Sequence, residues 1–305
     1  MSLEADLLLE RRRLKRRLAL WRGAFVLGVV ALLALLAGRP EAAGEWLGGA
    51  HVGRLTLSGT IGEDRRLLRE LDRAARDPEL RALLVSIDSP GGSVAGGEAF
   101  HAAIQRVREA GKPVVAVMGG AAASAGYMVA LPAQRIFARE ATLTGSIGVI
   151  LHSFEVSELM ARLGLRAETL ASGPLKDQPS PFRPLTEEGR AALSAVIEDM
   201  QAQFVARVAA GRALPEARVR ELADGRVMSG RQALALGLLD AIGGEREARA
   251  WLAEAHGIPA GLRIREIDPR GPAERAFAEA TRLFWQGAAG LLRAEGWMPG
   301  QIHPR

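Results

Sequence analysis

The sequence predicts an α/β domain built on a parallel sheet with crossover helices, preceded by one transmembrane helix. Three observations predict it. From His51 onward, short apolar runs alternate with amphipathic segments, the strand–helix order of crossover connections in a parallel sheet. A charge-free stretch, Gly23–Gly38, follows a cluster of seven cations. No repeat at a fixed period and no second independent core interrupts the chain before about Ala250.

Composition narrows the classes. Hydrophobic content of 48% and charged content of 25% are globular values, so no large part reads as disordered. The net charge of +5 raises nucleic acid as a partner, but Arg11, Arg12, Arg13, Lys15, Arg16, Arg17 and Arg22 together exceed it. The remaining chain carries no basic excess, and nucleic acid is excluded. Cysteine is absent, which removes a disulfide frame, a thiolate nucleophile and a cysteine metal site. No metal and no cofactor is expected.

Counting back from Gly38 to Leu18 gives about 21 residues, enough to cross a bilayer if Arg22 snorkels to its boundary. A core helix apolar on every face would not follow seven cations. A cleaved signal peptide finds small exit residues in "LLAGRPEAAGE", but the charged stretch before the apolar run is long for one. The uncleaved anchor is favoured. It puts residues 1–17 in the cytoplasm and everything after Arg39 on the extracytoplasmic side of the cell's inner, plasma membrane. Residues 39–51 then read as a linker, 52–250 as the main domain and 251–305 as a helical tail.

Within the main domain, "VGRLTLSG" alternates as a strand and "EDRRLLRELDRAARD" carries leucines at helical spacing. "LRALLVSID" and "KPVVAVMGG" are continuously apolar, the pattern of strands covered on both faces. Between them "VAGGEAFHAAIQRVREAG" is helical and stops at Gly111. "SAGYMVALPA" starts a helix that Pro132 closes; "QRIFARE", "GSIGVI" and, later, "RAETLA" read as strands. "TEEGRAALSAVIEDMQAQFVARVAAGRAL" is a long amphipathic helix with Thr186 as N-cap.

In such sheets ligands bind where strands end and helices begin. Two segments have that form. In "SIDSPGGSVAGGE", Gly91 and Gly92 permit close backbone approach, and their amides are candidate oxyanion donors; the alternative is a tight turn. Neither segment carries a phosphate-loop or dinucleotide fingerprint. In "AVMGGAAASAGYMVA", Ser124 is either a helix N-cap or a nucleophile, and a nucleophilic serine needs a base within reach. Of the five histidines only His152, after "GSIGVI", suits that sheet end. Lysine is scarce: Lys15, Lys112 and Lys176 stand among 40 basic residues. Arginine cannot give up its proton, whereas a desolvated lysine can serve as a base. Lys176, in the proline-rich "ASGPLKDQPSPFRPLT", is either that base or an exposed loop lysine.

The strings "SIDSPGGSVAGGEAF", "VVAVMGGAAASAGYMVA", "TGSIGVI", "LKDQPSPFRPLT" and "DGRVMSGRQALALGLLDAIGG" occur in this order. Together, over Val52–Gly244, they resemble the membrane-anchored signal peptide peptidase (protease IV) family in its short form with one catalytic half. The resemblance implies a fold like Clp protease and the crotonases, a Ser–Lys dyad, hydrophobic peptides such as cleaved signal peptides as substrates, and a homo-oligomeric ring. Carried over by position, the nucleophile falls on Ser124 and the base on Lys176, with Gly91 and Gly92 for the oxyanion. In a ring, Lys176 serves either its own serine or a neighbour's. The sequence departs from the family at Met128, where a larger aromatic is common, which implies an altered substrate pocket. Rival readings are a crotonase-like acyl-CoA enzyme and a catalytically inactive membrane scaffold. The amphipathic tail from Pro272, with Phe277, Phe284 and Trp285, suits a membrane surface, a substrate opening or a ring cap equally.

Overall fold

A computed structural model describes Trp21 and residues 49–269. The chain divides into two compact units, residues 1–50 and 51–305, and the sheet with its helices belongs to the second. Apart from Trp21, the expected anchor (18–38), the basic segment before it and the helix from Pro272 lie outside the described residues. Among the described residues no helix is long and apolar enough to cross a membrane.

Strand β1 (His51–Ile61) pairs in parallel with β2 (Leu80–Gly92), and β2 with β3 (Val114–Ala123). Helix α1 (Arg65–Arg76) makes the first crossover. Asp64 caps it, accepting from the Arg66 and Leu67 amides, and its buried face is Leu67 and Leu71. Helix α2 (Val94–Glu109) makes the second, capped by Ser93 and burying Phe100, Ile104 and Val107. The pleat of β2 divides its side chains between two cores: Leu83, Val85 and Ile87 join the larger, Ala82 and Leu84 the smaller. Both faces being covered explains the unbroken apolar run Ala82–Val85.

Helix α3 (Ala125–Ala130) follows β3 directly, and β4 (Arg135–Ala138) and β5 (Leu143–Gly145) both pair with β3. After a short α4 (Ser157–Arg162), α5 (Glu187–Arg212) runs 26 residues from its Thr186 cap and buries Phe204, Val205 and Val208. Helix α6 (Glu216–Leu222) leads to β6 (Val227–Ser229), α7 (Gly230–Ala235) and β7 (Ala241–Ile242). Helix α8 (Glu245–His256) supplies Ala248 and Leu252 to the smaller core, and β8 (Ile264–Glu266) returns to pair with β1.

Several expectations need correcting. The sheet is mixed, because β6 runs antiparallel to β5 at its edge. It also extends past Ala250, since β8 joins it. "GSIGVI" is not a strand: the ladder of β5 ends at Gly145, where Gly145 (φ +78°) and Ser146 (φ +48°) leave the extended region. "RAETLA" forms no strand either; it is exposed and has no paired neighbour among the described residues. The "SPGG" stretch is no separate turn but the end of β2, with Thr60 opposite Gly91 and Ile61 opposite Gly92.

Candidate active site

Ser124 stands at the junction of β3 and α3 with φ 53° and ψ −121°. For an L-residue this region is sterically disfavoured, at about 1–3 kcal/mol, so the neighbours must impose it. They do so from both sides. The Ser124 amide donates to the Gly145 carbonyl at 2.9 Å, which ties the junction to β5. Its carbonyl accepts from Met128 at 3.0 Å, which starts α3. The hydroxyl makes no capping bond, so Ser124 does not use it as a conventional N-cap. A sharp strand-to-helix turn with a half-buried, uncapped hydroxyl is the arrangement that presents a serine nucleophile.

Gly91 forms the wall beside it. A Cβ at Gly91 would lie 2.9 Å from Ser124 Cβ and 3.4 Å from its Oγ, and φ there is +132°. Only glycine lets this backbone approach the hydroxyl so closely. The Gly91 amide donates to the buried Ser89 hydroxyl at 3.1 Å, and that hydroxyl donates back to the Gly91 carbonyl at 3.1 Å. Ser89 therefore locks the end of β2 around Pro90. Gly92 has a different neighbour: a Cβ there would fall 1.9 Å from the Ile61 carbonyl oxygen, so it admits the close passage of β1. At the start of α3 the Ala125 amide has no acceptor among the described residues.

Lys176 lies on the exposed segment between α4 and α5, its amide donating to Gly173 at 3.2 Å. Among the described residues its amine has no hydrogen bond, to Ser124 or to any other group. The segment is pinned beside it. Arg183 makes a charge contact with the Asp177 carboxylate at 3.1 Å and donates to the Asp177 carbonyl at 3.3 Å. Gln178 accepts from the Thr186 amide at 3.4 Å, and its side chain fills the space that a Cβ on Gly189 would occupy. His152, the other base considered, is also exposed. Lys112 has a local task, donating to the Asp77 and Leu80 carbonyls where α1 turns into β2.

Met128 is buried, and its sulfur would meet a Cβ on Gly97 of α2 at 3.2 Å. It packs in the core rather than lining an open pocket, because α3 turns that face onto α2. Sequence reasoning passed over Asp88, Ser89, Thr142 and Thr144, which hold the strand ends around Ser124. A signal existed: polar Asp88 and Ser89 continue a strand otherwise apolar enough to be buried on both faces.

The profile of peptidase family S49 matches residues 106–259. A candidate protease of Synechocystis sp. is 40% identical over 209 residues, 68% of this chain and 75% of that protein. The chain belongs to peptidase family S49. It is therefore a serine peptidase of the signal peptide peptidase (protease IV) group. A candidate signal peptide peptidase of Enterococcus faecium is 34% identical over 184 residues. The match covers 60% of this S49 chain and 54% of that relative, so the chain spans about half of the latter's length. Among solved structures, a point mutant of ClpP1 from Listeria monocytogenes aligns over 64% of this chain and 92% of its own, at TM-score 0.43 and 16% identity.

Proposed function

We propose that this S49 peptidase is a membrane-anchored endopeptidase that hydrolyses hydrophobic peptides, cleaved signal peptides among them, with Ser124 as nucleophile and Lys176 as base. The observation that carries the reading is the uncapped Ser124 hydroxyl at positive φ, flanked by the bare backbone of Gly91. The family membership supports the peptidase chemistry, and the ordered motifs support the Clp protease/crotonase-like reading of the domain.

In the proposed reaction the neutral Lys176 amine takes the Ser124 proton as Oγ attacks the peptide carbonyl carbon. The resulting oxyanion needs backbone donors, each worth about 3 kcal/mol in such sites. Ala125, the residue after the nucleophile, and the Gly91–Gly92 segment are the donors proposed, the Gly91 amide exchanging its bond to the Ser89 hydroxyl for one to the oxyanion. The tetrahedral species collapses, the C–N bond breaks, and the lysine ammonium returns its proton to the leaving amine. Water, deprotonated by the same amine, then attacks the acyl-enzyme; the acid leaves and Oγ regains its proton.

The exposure of Lys176 and its lack of a partner among the described residues support a dyad completed between subunits of a homo-oligomeric ring. Exposed apolar side chains earlier in the chain point the same way: Ile150 is 77% exposed, Phe154 79% and Leu170 94%. The basic cluster and the apolar run Leu18–Gly38 support anchoring in the plasma membrane with this domain outside.

The test is hydrolysis of a hydrophobic peptide by purified full-length protein. Ser124→Ala and Lys176→Ala should each reduce the rate by several orders of magnitude while the circular dichroism spectrum stays unchanged. Full activity in Lys176→Ala would end the dyad reading and turn attention to His152.

A further inference from the structure

We propose that Asp88 is a positioning residue for the nucleophile: its carboxylate clamps the bulge in β3 that delivers Ser124. The inference rests on Ser124 being the nucleophile, as proposed above.

The bulge is visible in the register. Ile87 pairs with Met118, and the next pair is Ser89 with Ala122. Over this interval β2 advances two residues and β3 advances four, so two residues of β3 leave the ladder. Before the bulge β3 pairs with β4, through Val115–Val117. After it, β3 pairs with β5, through Ala121–Ala123, and Ser124 follows at once. The extra length therefore lets β3 change neighbours and meet β5, whose Gly145 carbonyl holds the Ser124 amide.

A bulge frees backbone groups that the ladder would otherwise pair. Three side chains take them up. Asp88 Oδ1 accepts from the Ala121 amide at 3.0 Å. Thr142 Oγ1 donates to the Gly119 carbonyl at 2.7 Å and accepts from the Arg139 amide at 3.0 Å. Thr144 Oγ1 donates to the Ala122 carbonyl at 2.7 Å. The two threonines act from the β5 side, and Asp88 acts from β2. Asp88 thus ties β3 to β2 across the interruption, three residues before the hydroxyl. Water would also satisfy the Ala121 amide, but it would not fix the strands relative to each other.

The bulge residues are shaped for this contact. A Cβ on Gly119 would lie 3.2 Å from both Cβ and Cγ of Asp88, and one on Gly120 would lie 3.4 Å from Oδ1. The glycine pair "GG" at 119–120 thus gives the carboxylate its room. Asp88 follows Ile87 in the same strand that carries Ser89 and Gly91, so one rigid segment sets both the strand end below Ser124 and the backbone beside it.

The experiment compares full-length wild type, Asp88→Ala, Asp88→Asn, Asp88→Glu and Ser124→Ala. The readouts are kcat and KM on a hydrophobic peptide, the rate of acylation by a fluorophosphonate probe, and the melting temperature. Misplacing a reacting group by about 1 Å costs up to roughly a hundredfold in rate. Asp88→Ala should lose roughly tenfold to a hundredfold in kcat. Probe acylation should slow in parallel, with KM near wild type. Asp88→Asn keeps an acceptor oxygen in place and should restore kcat to within about threefold. Should Asp88→Ala fail to fold, Asp88→Glu decides, since it keeps the charge but shifts the oxygens by one methylene and should still lower kcat. Wild-type kcat in the folded Ala variant, or in Glu where Ala does not fold, overturns the proposal. So does an Asn variant as slow as Ala. Activity retained in Ser124→Ala would instead overturn the nucleophile assignment, a separate failure.

Discussion

Ser124 is the most constrained side-chain-bearing residue of the site, and its constraint makes a stability prediction. The strain of positive φ is about 1–3 kcal/mol, whereas glycine's extra freedom in the unfolded chain costs about 0.5–1 kcal/mol. Strain relief wins, so Ser124→Gly should be inactive yet more resistant to denaturant than Ser124→Ala; equal midpoints would refute the argument. His101 makes a second prediction at this scale. Burial in α2, with Arg207 nearby, lowers its pKa from 6.5 to about 4. Arg207 is itself paired with Glu98 at 2.7 Å. Because the folded value lies below the unfolded one, the unfolded chain binds the proton first as pH falls. The stability that neutral His101 contributes is complete above about pH 6.5 and is lost progressively down to about pH 4. Melting temperatures across that window should fall less steeply in His101→Gln than in wild type.

At the scale of elements, the glycines of "SPGG" separate two tasks that the sequence shows as one motif. Gly92 lets β1 pass, and an added methyl would sit 1.9 Å from a backbone oxygen of Ile61. Neither strand can yield without breaking the ladder between them, so Gly92→Ala should lower the melting temperature strongly. Gly91→Ala meets Ser124 instead, at 2.9 Å, and its main loss should be in kcat. Equal melting temperatures for wild type and Gly92→Ala would show that β1 is not held there. Helix α5 joins the two halves of the proposed site. Its start holds Gln178, two residues from Lys176, and Gln201 donates to the Ile147 carbonyl beyond β5 at 3.4 Å and to Ala223 at 2.8 Å.

For the whole molecule, the proposal that the dyad closes between chains makes a prediction. Mixing and reassembling Ser124→Ala with Lys176→Ala should then restore part of the activity that each lacks alone. Each mixed ring would contain interfaces where an intact serine meets an intact lysine. No recovery from fully mixed rings would place both groups of the dyad in one chain. The exposed Leu170 lies on the same segment as Lys176, so a polar replacement there should lower assembly and activity together.

Alternation and apolar runs determined the order of strands and helices through β4, because burial on two faces writes its pattern directly into residue type. The scarcity of lysine and the isolated serine made Lys176 and Ser124 candidates, and the family resemblance gave them their expected roles. Other features escaped the sequence because they depend on which strands become neighbours. The Ser124 conformation and the clamp of Asp88 and Thr142 on the β3 bulge arise where β3 leaves β4 for β5, and the split between Gly91 and Gly92 arises where β1 passes the end of β2. "GSIGVI" reads as a strand by composition, yet positive φ at Gly145 and Ser146 ends it. Local pattern fixes which residues prefer an element. Only tertiary pairing fixes where a ladder must break, and this chain sets its serine at such a break.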